Sequence, residues 1–226
     1  MKKNKKIIIV GDGAFAEVAY EYFNFDSEFE VVAFGVENEF ITQQKKFNLP
    51  VIPLEKIDQR YSPEDYYFFV ALVYNEMNRL RTRLYNLMIS KGFKAASYIS
   101  SKAIIWKNVK IGEHCFIFEG NNIQPFVEIG NNVILWSGNH IGHHSSIEDN
   151  CFISSHVVIS GFCHIKSNCF FGVNSTIADQ CQIAKDCFIG ANAIILKNTT
   201  PQQVISPTRT MPSEVNSLRL FKVKVK

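Results

Sequence analysis

The sequence predicts an α/β domain with a small parallel sheet over residues 1–98, a parallel β-helix over residues 99–200, and a tail over residues 201–226. Three observations lead to this prediction. Strand-like and helix-like segments alternate in the first half, apolar residues recur every six positions in the second half, and all six cysteines share one position of that repeat. Because 46% of the 226 residues are hydrophobic, the chain can bury a core and is not mainly disordered.

The first half alternates short apolar runs with amphipathic segments. The runs predict strands over residues 6–10, 30–34 and 66–72. The amphipathic segments predict helices over residues 14–23 and 75–91. Gly92 closes the second helix, and Pro50 and Pro53 mark the connection between the two halves of this domain. Strands that alternate with helices indicate parallel βαβ pairing.

The second half contains a six-residue repeat. Seventeen consecutive sixth positions are large and apolar: Ile99, Ile105, Ile111, Ile117, Ile123, Ile129, Leu135, Ile141, Ile147, Ile153, Ile159, Ile165, Phe171, Ile177, Ile183, Ile189 and Ile195. In an α-helix such a spacing would scatter these residues around the whole surface. Six residues is instead the period of the hexapeptide β-helix. Three hexapeptides form one coil, so each residue should lie beside the residues three hexapeptides before and after it.

The cysteines occupy one position of this repeat, four residues after the apolar one. They are Cys115, Cys151, Cys163, Cys169, Cys181 and Cys187. The other residues at this position are small, β-branched or short and polar, as expected for side chains that point inward near the corners of a narrow prism. Free cysteine packs as a small hydrophobe, so we expect reduced, buried thiols rather than disulfides or a metal site.

A glycine-rich turn follows the first predicted strand. Gly11-x-Gly13-x-x-Ala16 precedes a helix, and Glu37 lies beyond the second strand, a pattern similar to a dinucleotide fingerprint. The glycines allow a tight turn, and free N–H groups at a helix N-terminus attract an anion. The turn could therefore form a nucleotide-diphosphate site, a nicotinamide site or a purely structural turn. Fewer than 100 residues precede the β-helix, which disfavours a full nicotinamide domain.

Charge and hydropathy limit the location and the partners. A net charge of +3 is too small over this length to indicate nucleic-acid binding. The basic residues Lys2, Lys3, Lys5 and Lys6 precede only a short apolar run, so a signal peptide is not expected. No run reaches the roughly eighteen apolar residues of a membrane span. We expect a cytoplasmic protein.

These features together resemble the bacterial hexapeptide acetyltransferases that modify amino sugars or sialic acids. That family includes the N-acetyltransferases for UDP-linked bacillosamine precursors and GDP-perosamine, and the sialic acid O-acetyltransferases. The resemblance covers nearly the whole chain. It implies a Rossmann-like domain that receives the acceptor, a left-handed β-helix, a homotrimer, acetyl-CoA bound between adjacent β-helices, and no metal. The implied reaction is N-acetylation of a nucleotide-linked amino sugar for a surface polysaccharide or glycan.

The resemblance also implies roles for individual residues. By position in the repeat alone, His140, His143 and His144 are all candidates for a general base, and imidazole suits this role because it titrates near neutral pH. The resemblance places the family's general base on His143. Contacts to acetyl-CoA fall on Gly161, Gly172 and Val173. Acceptor contacts are expected among Gly11, Gly13, Phe15, Glu37, Trp136, Asn139, His140 and His144.

Several of these positions depart from the family's pattern. His144 stands where the family often has Asp or Glu, Phe15-Ala16 replaces His-Gly, and Trp136 replaces an asparagine for which Asn139 is a candidate substitute. These departures bear on the identity of the acceptor more than on the reaction class.

Two other functions remain open from the sequence. Sugar O-acetylation would use the same histidine, so the residues do not decide between an amine and a hydroxyl acceptor. A zinc-dependent trimer similar to a carbonic anhydrase would need three histidines at an interface, which could come from His140, His143, His144 and His156.

Overall fold

The computed structural model describes residues 3–208 and 211–223. Lys2 and residues 209–210 and 224–226 of the tail lie outside the described residues. The N-terminal domain contains β1 (Lys5–Val10), α1 (Ala14–Phe25), β2 (Phe29–Val36), β3 (Lys45–Lys46), β4 (Leu49–Pro53), α2 (Ile57–Arg60), β5 (Tyr66–Val70), α3 (Arg79–Ser90) and β6 (Lys94–Ala95). The tail contains α4 (Ser217–Leu220).

The N-terminal strands form one sheet in the order β3-β4-β2-β1-β5-β6. All neighbouring strands are parallel except β3 and β4, so the predicted parallel sheet is confirmed. The interpretation of Pro50 and Pro53 as a connection was wrong, because both lie in β4, which pairs with β2. Pro53 ends the strand, a position where a missing N–H costs little, while Val51 and Ile52 are buried.

The start of α3 differs from the predicted start at residue 75. Glu76, Met77 and Asn78 adopt left-handed backbone conformations with φ of 52°, 50° and 69°. Three consecutive residues of this kind cannot continue a right-handed helix. The helix therefore begins at Arg79.

The second domain is a parallel β-helix of three flat sheets. Sheet I contains β7 (Tyr98–Ile99), β10 (Phe116–Ile117), β13 (Ile134–Leu135), β16 (Phe152–Ile153), β19 (Phe170–Phe171), β22 (Phe188–Ile189) and β24 (Val204–Ile205). Sheet II contains β8 (Ile104–Ile105), β11 (Asn122–Ile123), β14 (His140–Ile141), β17 (Val158–Ile159), β20 (Thr176–Ile177) and β23 (Ile194–Ile195). Sheet III contains β9 (Lys110–Ile111), β12 (Glu128–Ile129), β15 (Ser146–Ile147), β18 (His164–Ile165) and β21 (Gln182–Ile183).

The strand register repeats once per coil of three hexapeptides, as predicted. Ile123 pairs with Ile141 in sheet II, and Ile129 pairs with Ile147 in sheet III. The predicted left-handed hexapeptide β-helix is confirmed. Every repeat position from Ile117 to Ile195 is buried, whereas Ile99 is 41% exposed because no coil lies beneath it.

The predicted burial of the cysteines is also confirmed. All six are free and buried inside the β-helix. Burial raises the pKa of Cys115 to about 12, because the low-dielectric interior disfavours the thiolate. A buried thiol of this kind is a packing group rather than a nucleophile.

The N-terminal domain covers the outer face of sheet I. Phe116, Phe152 and Phe170 project outward from this sheet and pack in one cluster with Phe15 and Phe23 of α1. Phe116 is fully buried at the centre of these contacts, with ring centroids 5.4 Å from Phe15 and 5.8 Å from Phe23. The two domains therefore share one continuous core.

A polar network completes the junction between the domains. Arg81 is fully buried and donates hydrogen bonds to the side-chain and backbone oxygens of Asn132 and to the carbonyl of Cys151. Its burial lowers the pKa of Arg81 to about 9. Nε2 of His114 accepts from the Val70 N–H, and burial lowers the pKa of His114 to about 3, so this histidine is neutral. No pattern in the sequence indicated this network.

The described residues, 3–208 and 211–223, include no helix with both the length and the apolar character of a bilayer span. Over the same residues, no group of three or more His, Cys, Asp or Glu side chains is arranged to hold a metal ion.

Candidate functional site

A cleft opens at the carboxyl ends of β1 and β2 in the N-terminal domain. It has a volume of about 460 Å³, and its lining includes Gly11, Gly13, Glu37, Phe40 and Arg83. The structure thus brings together Gly11, Gly13 and Glu37, three of the residues predicted from the sequence. All lining residues of this cleft belong to the N-terminal domain.

The backbone requires glycine at Gly11 but not at Gly13. Gly11 has φ +108°, and an added Cβ would lie 3.3 Å from the carbonyl oxygen of Ala71, so its backbone requires glycine. Gly13 caps α1 with φ −77°, which any residue can adopt, and an added Cβ would meet no atom within 4 Å. The space beside Gly13 is therefore open at the N-terminus of a 12-residue helix, where the first backbone N–H groups have no helical partner.

Glu37 is held by an arginine that the sequence analysis missed. Arg83 of α3 donates to both carboxylate oxygens of Glu37, with N···O distances of 2.7 and 2.9 Å. This pairing lowers the pKa of Glu37 below its usual value. Arg83 lies on the predicted second helix, but no spacing rule connects it with Glu37.

Phe15 does not reach this cleft. Its side chain is 6% exposed and packs against Phe69, Phe116 and Trp136 at the domain junction. The predicted acceptor contact from Phe15 is therefore wrong, because the apolar ring is used in the shared core.

His143 lies at the corner between sheets II and III, in the turn that joins β14 to β15. Its side chain is exposed, and its backbone N–H donates to Oε1 of Gln124 at 2.9 Å. The Nδ1 atom of His143 is 3.1 Å from the Nδ1 atom of His144. The two histidines predicted for the site are thus in direct contact.

A notch lies beside His143 at Gly161, one coil further on. A Cβ added to Gly161 would be 3.1 Å from Nε2 of His143 and also 3.1 Å from Oδ1 of Asp179. Glycine therefore leaves a gap between an imidazole nitrogen and a carboxylate oxygen. Asp179 lies two coils after His143, at the same position of the repeat. The period in the sequence could therefore have predicted that it lies near the notch.

An aromatic column follows the same corner. Phe126, His144 and Phe162 occupy the same position in three successive coils, and the His144 ring stacks between the two phenyl rings with centroid distances of 4.5 and 4.9 Å. All three residues have positive φ, of 65°, 57° and 55°. The column fixes the plane of the His144 ring.

The remaining predicted residues lie elsewhere on the β-helix. His140 is half-buried on the outer face of sheet II, between Asn122 and Val158. Trp136 is half-buried at the domain junction, stacked on Phe118 at 4.4 Å.

Gly172 and Val173 lie at the corner between sheets I and II, not at the corner of His143 and Gly161. Gly172 packs against the backbone of Ala191, while Val173 is 45% exposed.

Asn139 is buried inside the β-helix, with 1% of its surface exposed. It donates to the carbonyl of Trp136 and accepts from the backbone N–H of Val157, so both ends of its amide are used in the corner. The prediction that Asn139 contacts the acceptor is wrong for this reason.

The cleft and the His143 corner lie on opposite sides of the β-helix within one chain. The N-terminal domain covers sheet I, whereas His143 lies where sheets II and III meet. Across the part of the chain that the structure describes, the side-chain contacts of His143 and His144 come from the β-helix alone. Among the described residues, those that line the cleft are therefore separate from those that contact His143 and His144.

Three solved structures share this two-domain fold. The acetyltransferase domain of PglB from Neisseria gonorrhoeae superposes with a TM-score of 0.81 at 21% identity, covering 93% of this chain and 100% of its own. PerB from Caulobacter crescentus, in complex with CoA and GDP-perosamine, gives a TM-score of 0.73 at 20% identity, covering 88% and 92%. WeeI from Acinetobacter baumannii gives 0.67 at 18% identity, covering 88% and 94%.

At the level of sequence, residues 108–143, 126–161 and 162–197 match the family described as bacterial transferase hexapeptide (six repeats). A comparison with curated proteins finds no significant match. The structural likenesses, at these identities, establish the fold that the chain shares with the three proteins. The β-helix of this chain therefore resembles the bacterial transferase hexapeptide family over residues 108–197.

Proposed function

We propose that this protein transfers the acetyl group of acetyl-CoA to the amino group of a nucleotide-linked amino sugar. The proposal rests on the exposed side chain of His143, which lies beside the Gly161 notch on a hexapeptide β-helix. Support comes from PerB, which has the same fold and was solved with CoA and GDP-perosamine, and from the PglB domain, which was solved with acetyl coenzyme A. The reaction belongs to the synthesis of a surface polysaccharide or glycan.

The chemistry follows from the geometry of the notch. Nε2 of His143 faces the gap at Gly161, where it takes a proton from the acceptor amine as the nitrogen attacks the thioester carbonyl. A C–N bond forms and the C–S bond breaks, and the proton passes from the imidazole to the departing CoA thiolate. The backbone N–H of Gly161 stabilises the oxyanion in this scheme. Gly172 and Val173 bind the pantetheine arm of CoA.

The cleft in the N-terminal domain receives the nucleotide part of the acceptor. Open space beside Gly13 at the N-terminus of α1 suits the diphosphate, because free backbone N–H groups and the helix dipole favour an anion. The paired Glu37 and Arg83 lie further along the same cleft and supply polar contacts to the nucleoside. No nicotinamide is needed in this reaction.

The complete site requires two chains. Since the cleft and His143 face opposite sides of one chain, a sugar held in the cleft meets His143 of a neighbouring chain. A cytoplasmic homotrimer with three equivalent sites between its β-helices satisfies this requirement. Acetyl-CoA then lies between the corner that carries Gly161 on one chain and the corner that carries Gly172 on the next.

Gly13→Asp should separate nucleotide binding from folding. The backbone at Gly13 accepts any residue, and aspartate is a favourable helix N-cap, so thermal stability should stay unchanged or rise slightly. Its carboxylate would occupy the diphosphate position and repel it, so the dissociation constant for UDP-, GDP- or dTDP-linked amino sugars should rise at least about tenfold, the effect of one charge repulsion of this size. Calorimetric titration measures this change.

Gly13→Ala is the matched control, because it adds a Cβ to the same open space without charge. It should bind the nucleotide more tightly than Gly13→Asp does. Equal binding by wild type and Gly13→Asp would place the diphosphate outside this cleft.

Mixed oligomers test whether the site lies between chains. At an acceptor concentration below the wild-type dissociation constant, Gly13→Asp chains and His143→Asn chains should each have strongly reduced activity alone. When the two are unfolded, mixed and refolded together, some sites combine an intact cleft from one chain with an intact His143 from another, and activity should return. A mixture that stays inactive, although light scattering shows a trimer, would indicate that each chain forms its own site.

Sugar O-acetylation is the second candidate. It would use the same histidine and the same cofactor, but the Asp179 carboxylate beside the notch would attract an acceptor that arrives as an ammonium ion and loses one proton to solvent before its nitrogen attacks. An amine fits this environment better than a hydroxyl.

A further inference from the structure

We infer that His144 is the positioning residue for His143, and that acetyl transfer requires His144 to be neutral with its proton on Nε2. This inference rests on the proposed function, and it concerns how the His143 ring is held with the correct nitrogen free. The contact that carries it is the 3.1 Å separation between the two Nδ1 atoms.

Two ring nitrogens at hydrogen-bond distance must share one proton between them. A neutral imidazole has one N–H donor and one lone-pair acceptor, whereas a protonated imidazole has two donors. The contact is therefore favourable when one Nδ1 carries a proton and the other does not. If both carry one, the two N–H groups face each other and the contact is lost.

Only one of the two favourable arrangements leaves His143 able to act as a base. Nε2 of His143 faces the Gly161 notch and must hold a lone pair there. The proton of neutral His143 is then on Nδ1, and it is donated to Nδ1 of His144. His144 consequently carries its own proton on Nε2.

Aromatic packing holds the His144 ring with its Nδ1 atom next to Nδ1 of His143. The ring of His144 is stacked between Phe126 and Phe162, with interplanar angles of 26° and 16°. The Asp179 carboxylate faces this cluster across the notch, since a Cβ added to Gly161 would lie 3.1 Å from both Oδ1 of Asp179 and Nε2 of His143. The other neighbour, Gln124, is neutral and binds the His143 backbone. Among the described residues, the hydrogen-bond partner of the His143 Nδ1 atom is thus His144 rather than a carboxylate.

The pH dependence follows from this arrangement. When His144 gains a proton, its Nδ1 becomes a donor, and His143 must turn to its other tautomer or lose the hydrogen bond. The other tautomer carries its proton on Nε2 and cannot accept one from the acceptor. Transfer therefore requires the loss of two imidazole protons, one from each histidine, rather than one.

Two variants of His144 separate its roles. His144→Phe extends the Phe126 and Phe162 column with a third phenylalanine at the same positive φ, so the corner should fold, but His143 loses its acceptor. We expect kcat at pH 8.5 to fall about tenfold, the effect of one neutral hydrogen bond. His144→Asn places an amide oxygen near the Nδ1 position and tolerates positive φ. It should keep kcat at pH 8.5 within about threefold of wild type, because the acceptor is retained.

The pH profile gives the decisive kinetic comparison. On the acid side, the limiting slope of log kcat against pH should be lower by one in His144→Asn than in wild type. The variant has no proton to lose at residue 144, so only the proton of His143 must leave. Any ionisation of the acceptor amine adds equally to both profiles. His164→Asn is the control, because His164 is also an exposed histidine of the β-helix, its Nδ1 atom lies 2.9 Å from the Ser146 hydroxyl, and its slope should equal that of wild type.

A tautomer measurement tests the inference without any catalysis. Nitrogen NMR of the ¹⁵N-histidine-labelled protein at pH 8.5 should show His143 protonated on Nδ1 and His144 protonated on Nε2. The opposite pair of tautomers, or an unchanged slope and unchanged kcat in His144→Phe, would overturn it. If no acetyl transfer occurs with any amino sugar, the proposed function fails, and the tautomers still decide whether His144 positions His143.

Discussion

Replacing His143 with asparagine should lower the rate of acetyl transfer about 10²–10⁴-fold, the usual contribution of a general base. Asparagine keeps a polar side chain of similar size at the Gly161 notch, but it has no nitrogen that can accept the proton of the attacking amine. The dissociation constant for CoA should stay close to that of wild type, because the proposed contacts to CoA come from Gly161, Gly172 and Val173. Release of the CoA thiol measures the rate, and calorimetry measures CoA binding.

The control for this experiment is His164→Asn. His164 is an exposed histidine of sheet III whose Nδ1 is 2.9 Å from the Ser146 hydroxyl, and it should keep wild-type turnover. The wild-type rate should rise with pH as His143 loses its proton, whereas the residual rate of His143→Asn should lack this step. Wild-type turnover in His143→Asn, with a loss in His140→Asn, would move the base to His140.

Replacing Phe116 with alanine should lower the free energy of unfolding by about 3–5 kcal/mol, as expected for a buried phenylalanine whose removal leaves a cavity. The ring is fully buried, and its centroid lies 5.1 Å from that of Phe69 and 4.6 Å from that of Tyr98. It therefore joins the N-terminal sheet to the β-helix, and both domains lose packing when it is removed. Urea unfolding followed by tryptophan fluorescence measures the change.

Phe25→Ala is the control for the loss of a phenyl ring without the loss of core packing. Phe25 ends α1 and is 75% exposed, so its removal should change stability by no more than about 0.5 kcal/mol. A similar small effect of Phe116→Ala would mean that the two domains do not share a core. Their unfolding would then occur independently.

Most of the β-helix could be predicted from the sequence because contacts in a coil occur at a fixed separation. Neighbouring residues in adjacent coils are three hexapeptides apart, so a period read from one chain gives the register directly. The same rule placed Gly161 beside His143 and the cysteines in the interior. It would also have found Asp179 and the column of Phe126 and Phe162, had it been applied to the corners as well as to the core.

The N-terminal domain could be predicted only in outline. Hydrophobic runs identified β1, β2 and β5, but the prolines hid β4, whose buried Val51 and Ile52 are too few to form a visible pattern. The pair of Glu37 and Arg83 joins residues 46 positions apart on different elements, and no local period relates them. The cleft was therefore predicted from its glycines but not from its charges.

The predicted acceptor contacts of two residues were wrong because a residue's position in the sequence does not specify whether its side chain points into the core or toward a site. Phe15 follows the glycine turn of the cleft, yet its ring points into the domain junction because that is where an apolar surface is available. Asn139 occupies an inward corner position, and its amide satisfies backbone groups that would otherwise be buried without partners. In both cases the side chain is buried in the interior, where it cannot contact an acceptor.

Repeated local spacing was sufficient to define the coil, the inward face of the β-helix and the corner that carries His143. Which sheet the N-terminal domain covers depends instead on tertiary packing. Aromatic residues recur on the outer face of sheet I, but only packing against α1 makes that face the junction. This arrangement leaves the cleft and His143 on opposite sides of one chain, because a triangular coil has one corner opposite each face. The position of the cleft relative to His143 arises from that geometry, and no local pattern contains it.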